Sequence, residues 1–124
     1  MDAKGMSWVG VKTESFEEMK RFFGSVVGLP VAAERADFAV FTYPNGDKLE
    51  VFGPAAGNPP EQFRTNEVMT SILVDDIVNA AAELKAAGIA LVGELVRAPD
   101  GYAWQHFRAP DGKVFELVED PAHP

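Results

Sequence analysis

The chain has 124 residues, 47% of them hydrophobic and 24% charged, a composition that predicts one soluble globular domain. It contains no cysteine, so disulfides, thiolate nucleophiles and cysteine-bound metals are excluded. A formal net charge of −8 argues against a nucleic-acid partner, and no apolar run approaches the roughly 20 residues that span a membrane. The N-terminus lacks an apolar leader, so the expected location is the cytoplasm.

The first half is predicted to form one helix and four short strands. Ser15 and Glu18 have the spacing of a capping box that opens a helix, and Gly28 ends it. Five apolar residues at helical spacing predict the buried stripe of this helix: Phe16, Met19, Phe22, Phe23 and Val26. The strands are expected at 6–12, 31–34, 38–43 and 48–52. Residues 54–65 are rich in proline and glycine and predict a linker.

The same order then repeats. Asp76 is expected to cap a second helix, which Gly88 ends. Its predicted stripe is Ile77, Ala80, Ala81, Leu84 and Ala87, and strands are expected at 67–74, 91–96, 103–108 and 114–119. Module 1 therefore spans about 6–53 and module 2 about 66–119. The predicted fold is α+β: two tandem βαβββ modules form paired curved sheets around a cleft, with helices on the outer faces.

One phrase is written in both modules. Pro44-Asn45-Gly46 is followed after three residues by Glu50, and Pro110-Asp111-Gly112 is followed in the same way by Glu116. Pro-Asx-Gly predicts a hairpin turn, and side chains alternate in the strand that follows it. Each glutamate is therefore expected on the face opposite its apolar neighbours. Two equivalent carboxylates would then point into the cleft.

The doubled order, the helix entry Asp75-Asp76-Ile77 and the phrase at 107–117 (FRAPDGKVFEL) resemble the vicinal oxygen chelate superfamily. That superfamily includes glyoxalases, extradiol dioxygenases, and fosfomycin- and bleomycin-resistance proteins. The resemblance covers roughly residues 6 to 119 and implies the fold. It also implies a metal ligand on the first strand and a carboxylate on the last strand of each module in metal-dependent members. The last-strand positions hold Glu50 and Glu116.

The first-strand positions hold Trp8 and Met69, and neither is a usual ligand for a divalent metal. We therefore predict that the protein binds no cofactor. The alternative is a divalent metal held by Glu50, Glu116 and His106. Two carboxylates in one cleft need a cation, a basic ligand or a shared proton to offset their repulsion. A cationic or aromatic small molecule is expected, stacked on tryptophan. The predicted ligand-binding residues are Trp8, Glu50, Met69, Ser71, Trp104, His106 and Glu116.

The resulting hypothesis is a metal-free small-molecule-binding protein of the glyoxalase/bleomycin-resistance type. The alternative is a lyase, isomerase or oxygenase with a depleted metal site, or with Glu50 or Glu116 as catalytic general base. A third reading is a structural or interaction module whose cleft is closed and whose sheet edges serve a partner. For the individual residues, the structural alternatives are that the glutamates are solvated or paired with a nearby Lys or Arg, that His106 is structural, and that Trp8 and Met69 fill space. The resemblance is also compatible with a homodimer. Neither nucleic acid nor membrane is expected as a partner.

Overall fold

The computed structural model describes residues 1–56 and 66–124, so most of the predicted linker lies outside the described residues. The strands are β1 (Ala3–Gly5), β2 (Trp8–Lys12), β3 (Val31–Arg35), β4 (Phe38–Thr42), β5 (Lys48–Phe52), β6 (Val68–Val74), β7 (Leu91–Arg97), β8 (Ala103–Arg108) and β9 (Val114–Glu119). The helices are α1 (Phe16–Arg21), continued by a π-helical segment (Phe22–Val26), and α2 (Ile77–Ala86). The predicted α+β class and the doubled order of elements are confirmed. In the described part of the chain, no helix is long and apolar enough to cross a bilayer.

The chain packs as two compact units. The first unit is Trp8–Met69, and the second unit combines Met1–Ser7 with Thr70–Pro124. The prediction of one strand over 6–12 is therefore wrong at its start, because the chain passes from one unit to the other at this point. Residues 3–5 form β1, which pairs antiparallel with β6, and β2 begins only at Trp8.

The sheet of the first unit has the strand order β3-β4-β5-β2, in which β5 and β2 are parallel and the other pairs antiparallel. Its core consists of Phe16, Leu29, Ala39, Phe41, Leu49 and Val51. Met19 and Phe23 pack against this core, but Phe22 and Val26 are 48% and 73% exposed, so the predicted stripe is wrong at these two positions. The cause is the wider π turn, in which the Val27 amide donates to the Phe22 carbonyl.

The two helices begin differently. The Asp76 carboxylate accepts from the Asn79 amide at 3.0 Å, as the sequence predicts. The prediction of a capping box at Ser15 is wrong. The Ser15 side chain makes no cap hydrogen bond, and the Ser15 backbone amide instead donates to Thr13 Oγ1. The end of α2 is a Schellman motif at Gly88 (φ 82°), in which the amides of residues 88 and 89 donate to the carbonyls of residues 85 and 84.

The sheet of the second unit places β6 between β1 and β9, followed by β8 and β7. The β6–β9 pair is parallel and the others are antiparallel. Its core, beneath α2, consists of Val74, Ile77, Ala80, Ala81, Ala103, Phe107 and Leu117. Leu84 of the predicted helix stripe packs against this core, whereas Ala87 is exposed and that part of the stripe is wrong.

Three hairpin tips share one structure. They are Tyr43–Asp47, Ala98–Tyr102 and Ala109–Lys113, each with Pro-Asx-Gly at its centre. In every tip the glycine amide donates to the carbonyl of the first residue, and the amide of the first residue donates to the carbonyl of the last. The glycine has φ between 92° and 94°. The Asx side chain accepts from the amide two residues later at 3.0–3.1 Å, which closes the turn locally.

Candidate ligand-binding site

Strand alternation places the two repeated glutamates on the sheet faces that the helices do not cover. In the first unit, Leu49 and Val51 pack in the core with α1, and Glu50 between them points to the other face. In the second unit, Leu117 packs beneath α2, and Glu116 precedes it on β9. Both orientations agree with the prediction. We term these surfaces the helix-free faces; that they share one cleft stays a prediction.

Polar side chains lie side by side on the helix-free face of the second unit. Glu116 on β9 is in register with Ser71 on β6 and with His106 on β8. Residues in register on neighbouring strands point to the same face, so the three form a continuous row. Ser7 extends this row, because its hydroxyl oxygen lies 3.3 Å from Ser71 Oγ and both residues are buried. We term these four residues the polar row.

The closest contact in the polar row joins the imidazole to the carboxylate. His106 Nε2 lies 2.8 Å from Glu116 Oε2, and the two side chains are 13% and 7% exposed. The distance is that of a charge-assisted hydrogen bond, yet the buried Nε2 makes no hydrogen bond of adequate geometry. The carboxylate oxygen therefore lies off the axis of the ring nitrogen. Because both atoms are acceptors when unprotonated, this contact requires a proton on one of them.

Burial determines how readily Glu116 holds a proton. Desolvation raises the pKa of this carboxyl above its ordinary value, while the close contact with the His106 imidazole acts in the opposite direction. Desolvation is the largest of these effects, so the pKa is raised overall. A carboxyl of this kind, next to an imidazole, can hold or accept a proton in chemistry at a ligand.

The equivalent row of the first unit is different. Glu50 on β5 is in register with Gly10 on β2 and with Val40 on β4, so neither neighbour offers a polar side chain. The indole of Trp8 instead donates from Nε1 to Glu50 Oε1 at 3.0 Å, and Trp8 is 5% exposed. Sequence reasoning placed Trp8 and Glu50 on one face but did not foresee that one would be the hydrogen-bond partner of the other.

The residues present do not fit the metal that the family resemblance implies. At the first-strand positions, Trp8 presents an N–H donor with no lone pair for a cation, and Met69 presents a thioether, a soft ligand. His106 and Glu116 supply one imidazole and one carboxylate. Among the residues that the structure describes, no three His, Cys, Asp or Glu side chains are grouped as a metal site requires.

The remaining predicted ligand-binding residues lie on the same face of their strands as the polar row. Met69 is two residues before Ser71 on β6 and is fully buried, as Ser71 is. Trp104 is two residues before His106 on β8, and its ring centroid lies 6.0 Å from that of Tyr102. An aromatic pair therefore stands beside the polar row.

Gln105 is a structural residue that sequence reasoning missed. It is buried on the opposite face from His106, and its Nε2 donates to the carbonyls of Val92, Gly93 and His106 at 3.0–3.1 Å. The register between β7 and β8 shifts between Val92 and Val96, and the two hydrogens of the Gln105 amide are shared among the carbonyls beside this shift. A glutamine within an apolar strand is the signal that could have suggested this role.

A groove of about 410 Å³ lies beside α1 in the first unit. It is lined by Glu17, Lys20, Arg21, Gly24, Ser25, Leu29, Val31 and Glu34. Lys20 bridges Glu34 at 2.6 Å and Glu17 at 3.5 Å across it. None of the predicted ligand-binding residues lines this groove, so it is separate from the candidate site.

Solved structures share this fold. A Mn(II)-bound glyoxalase from Novosphingobium aromaticivorans matches with a TM-score of 0.74 at 22% identity, over 95% of this chain and 39% of that one. Methylmalonyl-CoA epimerase from Mycobacterium tuberculosis matches with a TM-score of 0.71 at 17% identity, over 94% of this chain and 88% of that one. A superfamily member from Vibrio splendidus 12B01 matches with a TM-score of 0.66 at 21% identity, over 94% and 100%. At these identities the likeness shows the fold alone.

The sequence was also compared with family profiles and with curated proteins. No curated protein matches it. The profile described as glyoxalase/bleomycin resistance protein/dioxygenase superfamily matches residues 5–117, nearly the whole chain. The chain therefore belongs to the glyoxalase/bleomycin resistance protein/dioxygenase superfamily.

Proposed function

We propose that the chain is a metal-free small-molecule-binding protein whose ligand meets the helix-free faces at the polar row and at the Trp8–Glu50 pair. The observation that carries this proposal is the 3.0 Å hydrogen bond from Trp8 Nε1 to Glu50 Oε1. The first-strand position, where metal-dependent relatives are expected to hold a metal ligand, is filled here by a side chain that donates to the carboxylate. A cation at Glu50 would have to compete with this N–H.

The contacts that the two glutamates make within the protein support a ligand of low net charge. The sequence argument for a cationic ligand assumed two carboxylates without partners. In the structure, Glu50 accepts from an indole and Glu116 contacts an imidazole, each within its own unit. These contacts stabilise the two carboxylates and compensate part of the free-energy cost of removing them from water. The ligand therefore does not have to compensate that cost alone. An aromatic ligand, neutral or singly cationic, remains the expected class, and it would stack beside the Tyr102–Trp104 pair.

The test is a ligand titration combined with elemental analysis. Protein purified without chelator is expected to hold far less than one equivalent of Ni, Zn, Fe or Mn. Titration with a panel of neutral and cationic aromatic compounds is expected to change tryptophan fluorescence. The chain has only two tryptophans, so Trp8→Phe leaves Trp104 as the sole reporter. Stoichiometric metal that disappears in Glu116→Gln would overturn the proposal, as would an unchanged signal across the whole panel.

A second candidate function is proton transfer on a bound substrate. The observation that favours it is the His106–Glu116 contact with the raised pKa of Glu116, since such a pair can remove and return a proton at a carbon beside a carbonyl. The test is deuterium exchange at that carbon, followed by NMR in D₂O with 2-methylmalonyl thioesters. Exchange above the buffer rate that is lost in Glu116→Gln would favour this candidate over simple binding.

A further inference from the structure

We propose that the polar row holds a neutral hydroxyl group of the ligand, so that the second unit selects alcohols, phenols or enols over hydrocarbons and ammonium compounds. This inference rests on the proposed function, since it names the ligand group that one helix-free face would bind. It also separates the roles of the two units: the second supplies the polar selection, and the first supplies the Trp8–Glu50 contact.

The first argument is the geometry of His106. A buried nitrogen without a well-directed hydrogen bond costs free energy, and in native proteins such an atom calls for an explanation. Nε2 of His106 is buried and lacks such a bond, although Glu116 Oε2 is only 2.8 Å away. Since these two atoms are so close together, a single oxygen atom beside them can reach both. A ligand oxygen at this point would give Nε2 the directed partner that Glu116 does not provide.

The second argument is the proton that the pair must hold. If the proton is on Nε2, the ligand must accept from His106 and donate to Glu116; if it is on the carboxyl group, the two roles are exchanged. A hydroxyl group can do both, because its oxygen accepts while its hydrogen donates. An ammonium group only donates and a carboxylate only accepts, so neither can satisfy both atoms. The chemistry of the pair therefore favours a neutral hydroxyl.

The third argument is the contrast with the first unit. At the positions equivalent to Ser71 and His106, the first unit has Gly10 and Val40, which provide no side-chain hydrogen bond. Its carboxylate, Glu50, already accepts from Trp8. Among the described residues, the strand neighbours of Glu50 therefore supply no donor–acceptor pair like that of His106 and Glu116, and we assign the selection for a hydroxyl to the second unit.

The experiment compares three probes of similar size: 4-ethylphenol, ethylbenzene and 2-phenylethylammonium. Dissociation constants are measured by two-dimensional NMR from the indole N–H of Trp104, which stands on the same strand face as His106. We expect 4-ethylphenol to bind about tenfold or more tightly than either other probe, which is the magnitude expected for a hydrogen bond to a charged group.

The variant that tests the polar row is His106→Val with Glu116→Met. Valine is the residue at the equivalent position in the first unit, and replacing both members of a buried pair by apolar residues preserves folding better than removing one. The double variant is expected to bind 4-ethylphenol and ethylbenzene equally. The matched control is His123→Phe, which changes the other histidine of the chain and should leave the preference intact. Circular dichroism verifies that each variant is folded.

The outcomes distinguish this inference from the proposed function. If 2-phenylethylammonium or ethylbenzene binds as tightly as 4-ethylphenol, the protein binds small molecules but the hydroxyl preference is wrong. If 4-ethylphenol is preferred and the double variant keeps that preference, the hydroxyl lies elsewhere and the polar row is not its site. If none of the three probes binds but other compounds of the fluorescence panel do, the hydroxyl inference is overturned and the proposed function stands; if no compound of the panel binds either, both are overturned.

Discussion

The two units carry the same carboxylate at the same register position but satisfy it in different ways. Glu50 lies between a glycine and a valine and accepts from an indole on its neighbouring strand. Glu116 lies between a serine and a histidine and contacts the histidine at 2.8 Å. The backbone pairing of the duplicated sheets is therefore retained while the side chains around the glutamate have diverged.

This difference concerns chemistry more than architecture. An indole N–H does not titrate, so the partner of Glu50 is a fixed donor. The partner of Glu116 is an imidazole, whose ring nitrogens can donate or accept a hydrogen bond. A duplicated fold can thus keep one carboxylate for structure and use the other for proton or ligand chemistry, provided that the neighbouring strands supply different side chains.

The largest effect is expected from His106→Val alone. It leaves the buried carboxylate of Glu116 without its partner, and breaking a buried pair in this way costs about 3–5 kcal/mol of the free energy of unfolding. Urea denaturation followed by circular dichroism measures the loss. The double variant with Glu116→Met is the control, and it should recover most of the stability. Equal losses in the single and double variants would show that packing, not the pairing, determines the cost.

A smaller loss is expected from Trp8→Phe, which keeps an aromatic ring but removes the N–H that donates to Glu50. A hydrogen bond to a charged group contributes about 1.5–3 kcal/mol, and that is the predicted decrease in unfolding free energy. Trp104→Phe is the matched control and should cost less, because Trp104 is partly exposed. The comparison between the units fails if the two tryptophan variants lose equal stability.

The helix starts provide a third comparison. Asp76→Ala removes a side-chain cap and should cost about 0.5–2 kcal/mol, measured by thermal or urea unfolding. Ser15→Ala removes a hydroxyl that caps nothing, so its effect should remain within about 0.5 kcal/mol. A loss at Ser15 as large as that at Asp76 would contradict the geometry described for α1.

The last prediction concerns how stability depends on pH. Burial raises the pKa of the Glu116 carboxyl in the folded state. The stability that this carboxyl contributes is therefore fully present below its ordinary pKa, near 4.5, and is lost as the pH rises through the raised pKa. The stability of the native chain relative to Glu116→Gln should therefore decrease as pH rises from about 4.5.

Glu119 on the same strand is the control for this titration. Arg97, at 2.7 Å, and the Ile77 amide lower the pKa of Glu119, so its stabilisation is present above the ordinary value and is lost as pH falls. Denaturation curves of Glu116→Gln and Glu119→Gln across acidic to neutral pH should therefore show differences of opposite slope. Parallel slopes would contradict the assigned environments.

Much of the fold could be predicted because hairpins fix strand register. The Ala109–Lys113 tip joins β8 to β9, and counting outward from it pairs His106 with Glu116, so their proximity follows from local chain chemistry. The bounds of β5, β8 and β9 were predicted for the same reason: each is flanked by a Pro-Asx-Gly turn and has apolar alternation.

Other features have no comparable sequence signal. Nothing in the apolar spacing of the π-helical segment distinguishes it from an α-helix. The Trp8–Glu50 hydrogen bond depends on a side-chain rotamer, which strand alternation does not determine. The short strand β1 was missed because the exposed Ala3–Gly5 segment has no apolar pattern and forms a strand only through pairing with β6.

The shared structure of the three hairpin tips predicts which substitutions these turns tolerate. Asn45 occupies the place that Asp100 and Asp111 occupy in the other tips, and all three side chains accept the same type of amide hydrogen bond. Exchange of asparagine for aspartate should keep this turn bond but change the side-chain partners. At residue 45 it removes the amide that donates to Asp47 Oδ2 at 2.9 Å, and at residue 111 it removes the carboxylate that pairs with Lys113 at 2.8 Å. Variation between these two residues is therefore expected to preserve the backbone turn and to alter only contacts at the exposed hairpin tips.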